Sequence, residues 1–125
     1  MKNSILIGLF ACYAVTLLSC FHNNHDIKIS VKETEDVYRF TASFPENKTR
    51  KVQRLINNSI SPNSFFSSPE DYVDVSTILQ DKTRFSIKAS PGNLSIKLDR
   101  YENTVASYRR VKEMCEEIKN TLKEK

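Results

Sequence analysis

Residues 84–98 read RFSIKASPGNLSIKL. Phe85, Ile87 and Ala89 alternate with Ser86 and Lys88. Leu94, Ile96 and Leu98 alternate with Ser95 and Lys97. Strict alternation is the pattern of a strand with one face buried and one face wet. Ser90-Pro91-Gly92-Asn93 lies between the two runs. Proline and glycine at its centre make a strong turn signal. The stretch predicts two antiparallel strands, each with one apolar face.

Working upstream, Tyr72 to Gln80 is rich in β-branched residues and is joined to Arg84 by the short Asp81-Lys82 turn. It predicts the first strand of a three-stranded meander. Further back, Ile27, Ile29 and Val31 alternate with Lys28, Ser30 and Lys32. Tyr38, Phe40, Ala42 and Phe44 alternate with Arg39, Thr41 and Ser43. With a turn at Thr34-Glu35-Asp36, these two runs predict an antiparallel hairpin.

Two segments change period. Val52, Leu55 and Ile56 recur at helical spacing, predicting a helix over 46–58. Ser43 and Glu46 have capping-box spacing, Pro45 suits a first helical turn, and Asn57-Asn58 would end the helix. Downstream, Val105, Tyr108, Val111, Cys115, Ile118 and Leu122 predict a second helix from about 103–104 to 123. Lys119, Lys123 and Lys125 near its C-terminus favour the helix dipole. Residues 59–71, SISPNSFFSSPED, carry two prolines and no period, and are expected to be irregular.

The order is β-β-α-β-β-β-α. It predicts an α+β two-layer sandwich: a five-stranded, mainly antiparallel sheet with both helices on one face and the other face partly open. Periodicity leaves the strand order open. A chain of 125 residues suits one such domain, over 27–125.

Residues 1–20, MKNSILIGLFACYAVTLLSC, are different. Lys2 precedes an apolar run from Ile5 to Leu18, interrupted only by Gly8 and Thr16. A membrane-crossing helix needs about 20 apolar residues. This shorter run has the layout of a secretory signal. Its end, Leu17-Leu18-Ser19-Cys20, resembles the lipobox of bacterial lipoproteins. The resemblance covers about 20 residues and is silent on the remainder. It implies a signal peptide over 1–19, cleavage before Cys20, and acylation of that cysteine as an anchor in the lipid bilayer. Two or more hydrophobic signals make such an anchor stable. Residues 20–26 would then be a polar tether. In the Gram-negative version of the family, Asp after the cysteine favours inner-membrane retention. Phe21 stands there instead, so the resemblance implies a place in the cell envelope, with the outer membrane favoured.

Cleavage would remove Cys12, commit Cys20 to lipid and leave Cys115 as the single thiol, with no internal disulfide. It would also remove Lys2, leaving 18 cations against 15 carboxylates, a net +3.

Composition excludes several chemistries. The only glycines are Gly8 and Gly92. A P-loop, a dinucleotide-binding turn or a nucleophile elbow each needs clustered glycines. Both histidines, His22 and His25, sit in the tether beside Asp26, where a flexible chain supplies metal ligands poorly. Cys115 lies on the apolar face of its helix and is expected to be core. Asp71 and Asp74 are three apart at the start of a strand, where they point to opposite faces. Glu116 and Glu117 are neighbours on a helix. No metal and no cofactor are expected.

Two features are candidates for partner binding. One is the basic helix face of Lys48, Lys51 and Arg54, with Arg50 beside them; Arg109, Arg110 and Lys112 repeat the theme on the second helix. The other is Phe65-Phe66 in the Pro/Ser-rich loop, either an exposed apolar anchor or a pair folded back on the sheet end. Nucleic acid is not an expected partner, since basic–aromatic interleaving is missing. The functional expectation is a non-enzymatic binding or assembly module of the envelope, with an envelope protein as a possible partner. The alternatives are an inhibitor or immunity-type protein, and a hydrolase using carboxylates such as Glu70, Asp71 or Asp74. The last would need two carboxyls converging across a cleft.

Overall fold

The computed structural model describes residues 26–124. Its centre is the hairpin of Arg84–Ser90 and Asn93–Asp99, here β4 and β5. Pro91 and Gly92 make the connection. Gly92 has φ +77, the left-handed value that the third position of a type II turn requires. A Cβ at Gly92 would meet the Phe44 carbonyl oxygen at 2.8 Å, so a side chain is excluded on two grounds.

The remaining strands are β1 (Lys28–Glu33), β2 (Val37–Ser43) and β3 (Val73–Ile78). All five form one antiparallel sheet in the order β1-β2-β5-β4-β3. The chain lays down the β1–β2 hairpin, crosses to the far edge, and returns as the meander β3-β4-β5. β5 thereby closes the sheet against β2.

The crossing includes the first helix. A 3-10 turn, Glu46–Lys48, leads into α1, Thr49–Ser59. The capping box does not form. Ser43 is consumed by the sheet, opposite both Lys28 and Asn93. Pro45 precedes the turn with no side-chain cap. Thr49 supplies a tie instead, its hydroxyl accepting the Gly92 N–H at 2.9 Å. Nor do Asn57 and Asn58 end the helix, which runs to Ser59 with Ile60 as its cap. α2, Val105–Lys123, is N-capped by Thr104, whose hydroxyl accepts from the Ser107 N–H.

Both helices cover one face. Register sorts that face into three rows across the strands: Ala42, Leu94 and Ala89; Phe40, Ile96 and Ile87; Tyr38, Leu98 and Phe85. All nine are buried, as are Val52 and Ile56 of α1 and Val111, Met114, Cys115, Ile118 and Leu122 of α2. Each large apolar side chain so buried contributes about 1.5–3 kcal/mol. Thr83 and Ser107 satisfy each other inside the core, hydroxyl to hydroxyl at 2.9 Å. At one end Arg100 lies over the Tyr108 ring, 4.3 Å from its centroid, and donates to the Thr34 carbonyl. Among the described residues, no helix is long and apolar enough to cross a membrane.

Candidate functional site

The opposite face of the sheet carries no layer of secondary structure, and its side chains follow from the same register. One row reads Lys28, Ser43, Asn93 and Ser90. The next reads Ser30, Thr41, Ser95, Lys88 and Asp74. The third reads Lys32, Arg39, Lys97, Ser86 and Ser76. Short hydroxyl side chains therefore stud this face, and long cationic ones rise from it. The Ser76 and Ser86 hydroxyls bond to each other at 2.9 Å.

The first two rows shape a shallow, open groove of about 610 Å³. Lys28, Ser30, Thr41, Ser43, Lys88, Asn93 and Ser95 line it, with Tyr72 and Asp74 at its β3 side. Tyr72 is 82% exposed, so its ring lies open to solvent beside the groove. A second depression, about 400 Å³, lies at the other end of the same face between Ser76, Ile78, Arg84, Lys97 and Asp99.

The charge on this face is one-sided. Lys28, Lys32, Arg39, Arg84, Lys88 and Lys97 stand against Asp74, Asp99 and, at the second depression, Glu102. The ion pairs among the described residues are Arg110–Asp81, Lys112–Glu33 and Lys119–Glu116, all involving α2. None uses an open-face cation. Lys32 opposes Arg39, and Arg39 opposes Lys97. Like charges directly across a strand pair destabilise a sheet, so this row carries an electrostatic cost that no ion pair among the described residues offsets.

Apart from Asp74, the residues singled out from sequence fall elsewhere. Phe66 is in the core at 4% exposure, and Phe65 is half-buried with its ring edge-on to Phe85, centroids 6.4 Å apart. As an exposed anchor the pair is therefore corrected: Phe66 has almost no surface left to present. The reason is Asn57. From inside α1 its carboxamide donates to the Phe66 carbonyl at 2.9 Å. Its oxygen accepts the Phe65 and Phe66 N–H groups at 3.0 and 3.3 Å. Gln53 ties the same loop by donating to the Ser68 carbonyl.

Lys48 also leaves the expected basic patch. Its ammonium donates to the Leu122 and Glu124 carbonyls, both at 3.1 Å, and closes the C-terminus of α2. Lys51 and Arg54 remain exposed on α1. Cys115 is buried as expected, and burial pushes its thiol up to about 12. The Tyr38 hydroxyl faces it without a hydrogen bond of ordinary geometry. Burial, with the thiol a lesser cause, raises that phenol well above its usual value.

Glu70 and Asp71 both turn in to Ser68 on the same loop, while Asp74 lies apart on β3, so the acidic candidates do not face one another across a cleft. Asp71 turns into its own loop, accepting the Ser67 and Ser68 N–H groups at 2.8 and 2.9 Å. Those bonds hold its carboxyl below the usual range, the opposite of what a general acid needs. Asp74 belongs to the open face. Glu70 contacts the Ser68 hydroxyl. Glu116 pairs with Lys119 on α2, and Glu117 is exposed there. Among the described residues no three metal-ligating side chains gather. Cys20, His22 and His25 lie outside the described residues, and Asp26 is the first of them.

No known protein family, characterised protein or solved structure matches this chain. Its chemistry is read from its own surface. The alternation that revealed the strands also marked Lys32, Arg39 and Lys97 as outward. Only the strand order made them neighbours.

Proposed function

We propose that the chain is a non-enzymatic binding module, tethered to a membrane through acylated Cys20, whose open sheet face takes an anionic polysaccharide of the cell envelope. The observation that carries this reading is the groove: hydroxyl and amide side chains set on a largely apolar floor, an exposed Tyr72 ring at its rim, and cations beside it that make no ion pair among the described residues. Ser30, Thr41, Ser43, Asn93 and Ser95 can exchange hydrogen bonds with sugar hydroxyls, each group serving as donor or acceptor. An aromatic ring offers a flat apolar surface to the C–H face of a pyranose. Lys28, Lys88 and the Lys32–Arg39–Lys97 row supply charge for carboxylates or phosphates along the polymer. An acidic ligand would also relieve the repulsion that this row suffers in the free protein.

The tether fits the same reading. Seven residues, 20–26, can span at most about 23 Å at roughly 3.3 Å per residue. An anchored domain would sample the polymer layer next to its membrane.

The test is titration calorimetry of the soluble chain, residues 20–125 carrying Cys20→Ser. The probes are polygalacturonate, neutral dextran, polyglutamate and vesicles containing anionic lipid, each at low and high salt. The expected result is binding to polygalacturonate that weakens with salt and with Arg39→Gln, and weakens further with Tyr72→Ala. Equal binding to polyglutamate or vesicles, with no effect of Tyr72→Ala, would replace the saccharide reading with a general polyanion surface. Failure to bind any probe would overturn both.

A further inference from the structure

The two edges of the sheet are built differently. β1 presents Lys28 and Lys32 along its length, with the exposed Val31 between them, and ends at Glu33, which pairs with Lys112. Charged side chains of this kind blunt an edge against further strand pairing. β3, VDVSTI, carries one charge, Asp74. The edge is apolar as well: Tyr72 is 82% exposed, Val75 40% and Ile78 54%. Val75 stands on the helix-covered side opposite Ile87, yet the helical layer leaves it open.

The hydrogen-bond phase of β3 is readable. The Leu79 N–H donates to the Thr83 carbonyl at 2.8 Å. In an antiparallel pair, bonded and non-bonded positions alternate. Val73, Val75 and Thr77 therefore bond inward to β4, and the N–H and C=O groups of Asp74, Ser76 and Ile78 point out from the edge.

We infer that β3 pairs antiparallel with β3 of a second copy of this chain, in the register that sets Val75 against its own symmetry mate. A two-fold pairing that keeps both helical layers on one side must match odd positions with odd and even with even, since successive side chains alternate faces. This leaves a small set of registers. Centring on Asp74 opposes two carboxylates. Centring on Ser76 sets Asp74 against Ile78 and leaves Tyr72 unpartnered. Centring on Val75 sets Tyr72 against Ile78 twice, Val73 against Thr77 twice, and Asp74 against Ser76 twice. Every exposed apolar residue of the edge gains an apolar or β-branched partner, and no like charges meet. The outward N–H and C=O groups of Asp74 and Ser76 then face each other as bonded pairs. The edge is thus compatible with itself in residue type, pairing apolar with apolar and opposing no like charges. The product is one ten-stranded sheet, with the two open faces continuous across the join. This assignment shares Tyr72 with the saccharide reading, but its test uses no ligand, so the two fail separately.

The experiment is sedimentation velocity over a concentration series, with disulfide trapping, on residues 20–125 carrying Cys20→Ser. The starting chain should form a dimer that Val75→Lys weakens at least tenfold, with circular dichroism unchanged. Val75→Cys should cross-link to its mate under mild copper oxidation, because non-bonded antiparallel pairs place their Cα atoms within disulfide range. Ser76→Cys, out of register, should cross-link poorly, and so should Val31→Cys on the β1 edge. A starting chain that stays monomeric at several hundred micromolar would overturn the pairing. Cross-linking as efficient through Val31→Cys or Ser76→Cys would overturn the edge or its register.

Discussion

Replacing Arg39 by Gln should stabilise the fold while weakening ligand binding, an inverse pair of effects that a merely structural residue would not give. Arg39 is exposed at the centre of the open face, with Lys32 and Lys97 directly opposite it on its two neighbouring strands. Strands lie about 4.8 Å apart, and long side chains splay, so the charges sit roughly 7 Å from one another. Two unit charges at that distance in water repel by about 0.6 kcal/mol. Two such pairs give about 1 kcal/mol in the limit of no screening. Some of this survives at 20 mM salt. Almost none survives at 1 M, where the Debye length is about 3 Å. Arg39→Gln should therefore raise the unfolding free energy by about 0.5–1 kcal/mol at low salt and leave it nearly unchanged at high salt. Urea denaturation at the two salt concentrations measures this directly. With a slope of about 1 kcal/mol/M, the low-salt midpoint should rise by about 0.5–1 M. A variant less stable than the parent, or a gain unaffected by salt, would refute the reasoning. Either result would mean that these cations are neutralised or held apart in the folded state.

Three further outcomes follow from the packing. Asn57→Ala removes three hydrogen bonds to the Phe65–Phe66 backbone and loosens the seat of Phe66. At about 0.5–1.5 kcal/mol net per bond, the loss should be about 2–3 kcal/mol by urea denaturation, with Asn57→Asp, which keeps the acceptor, losing less. Gly92→Ala forces an L side chain to φ +77 against the Phe44 carbonyl; it should cost about 2 kcal/mol or more, a melting-temperature drop of roughly 8–16 °C for a domain of this size. Cys115 has an ordinary value of 9.0 and is raised to about 12 by burial. The unfolded chain releases that proton first, so the stabilisation is complete below pH 9 and is lost as pH rises towards 12; urea midpoints at pH 8 and 10.5 should converge in Cys115→Ala relative to the parent. Finally, Cys20→Ser should release the protein from membranes while leaving the circular dichroism of the domain unchanged, as fractionation of expressing cells would show.

Local periodicity determined the elements. Period two in RFSIKAS and NLSIKLD, with Pro-Gly between them, is set by neighbours along the chain, and so β4, β5 and their turn could be read directly. The same holds for the β1–β2 hairpin and the apolar stripe of α2. Those patterns, summed, also required one open sheet face. What they left undecided is non-local. Ser43 and Glu46 have the spacing of a cap, but a strand partner claimed Ser43 first. Phe65-Phe66 gave no sign of direction, because its burial depends on Asn57, whose carboxamide reaches it from inside a helix. Lys48 resembled its basic neighbours until the end of α2 arrived beside it, 74 residues away in the chain. Above all, the strand order β1-β2-β5-β4-β3 brought Lys97 beside Arg39 and made Lys32, Arg39 and Lys97 one row. Alternation tells a residue which face it occupies. Which other strand's residues share that face at 5 Å is decided by pairing across long chain separations, which only the folded sheet contains.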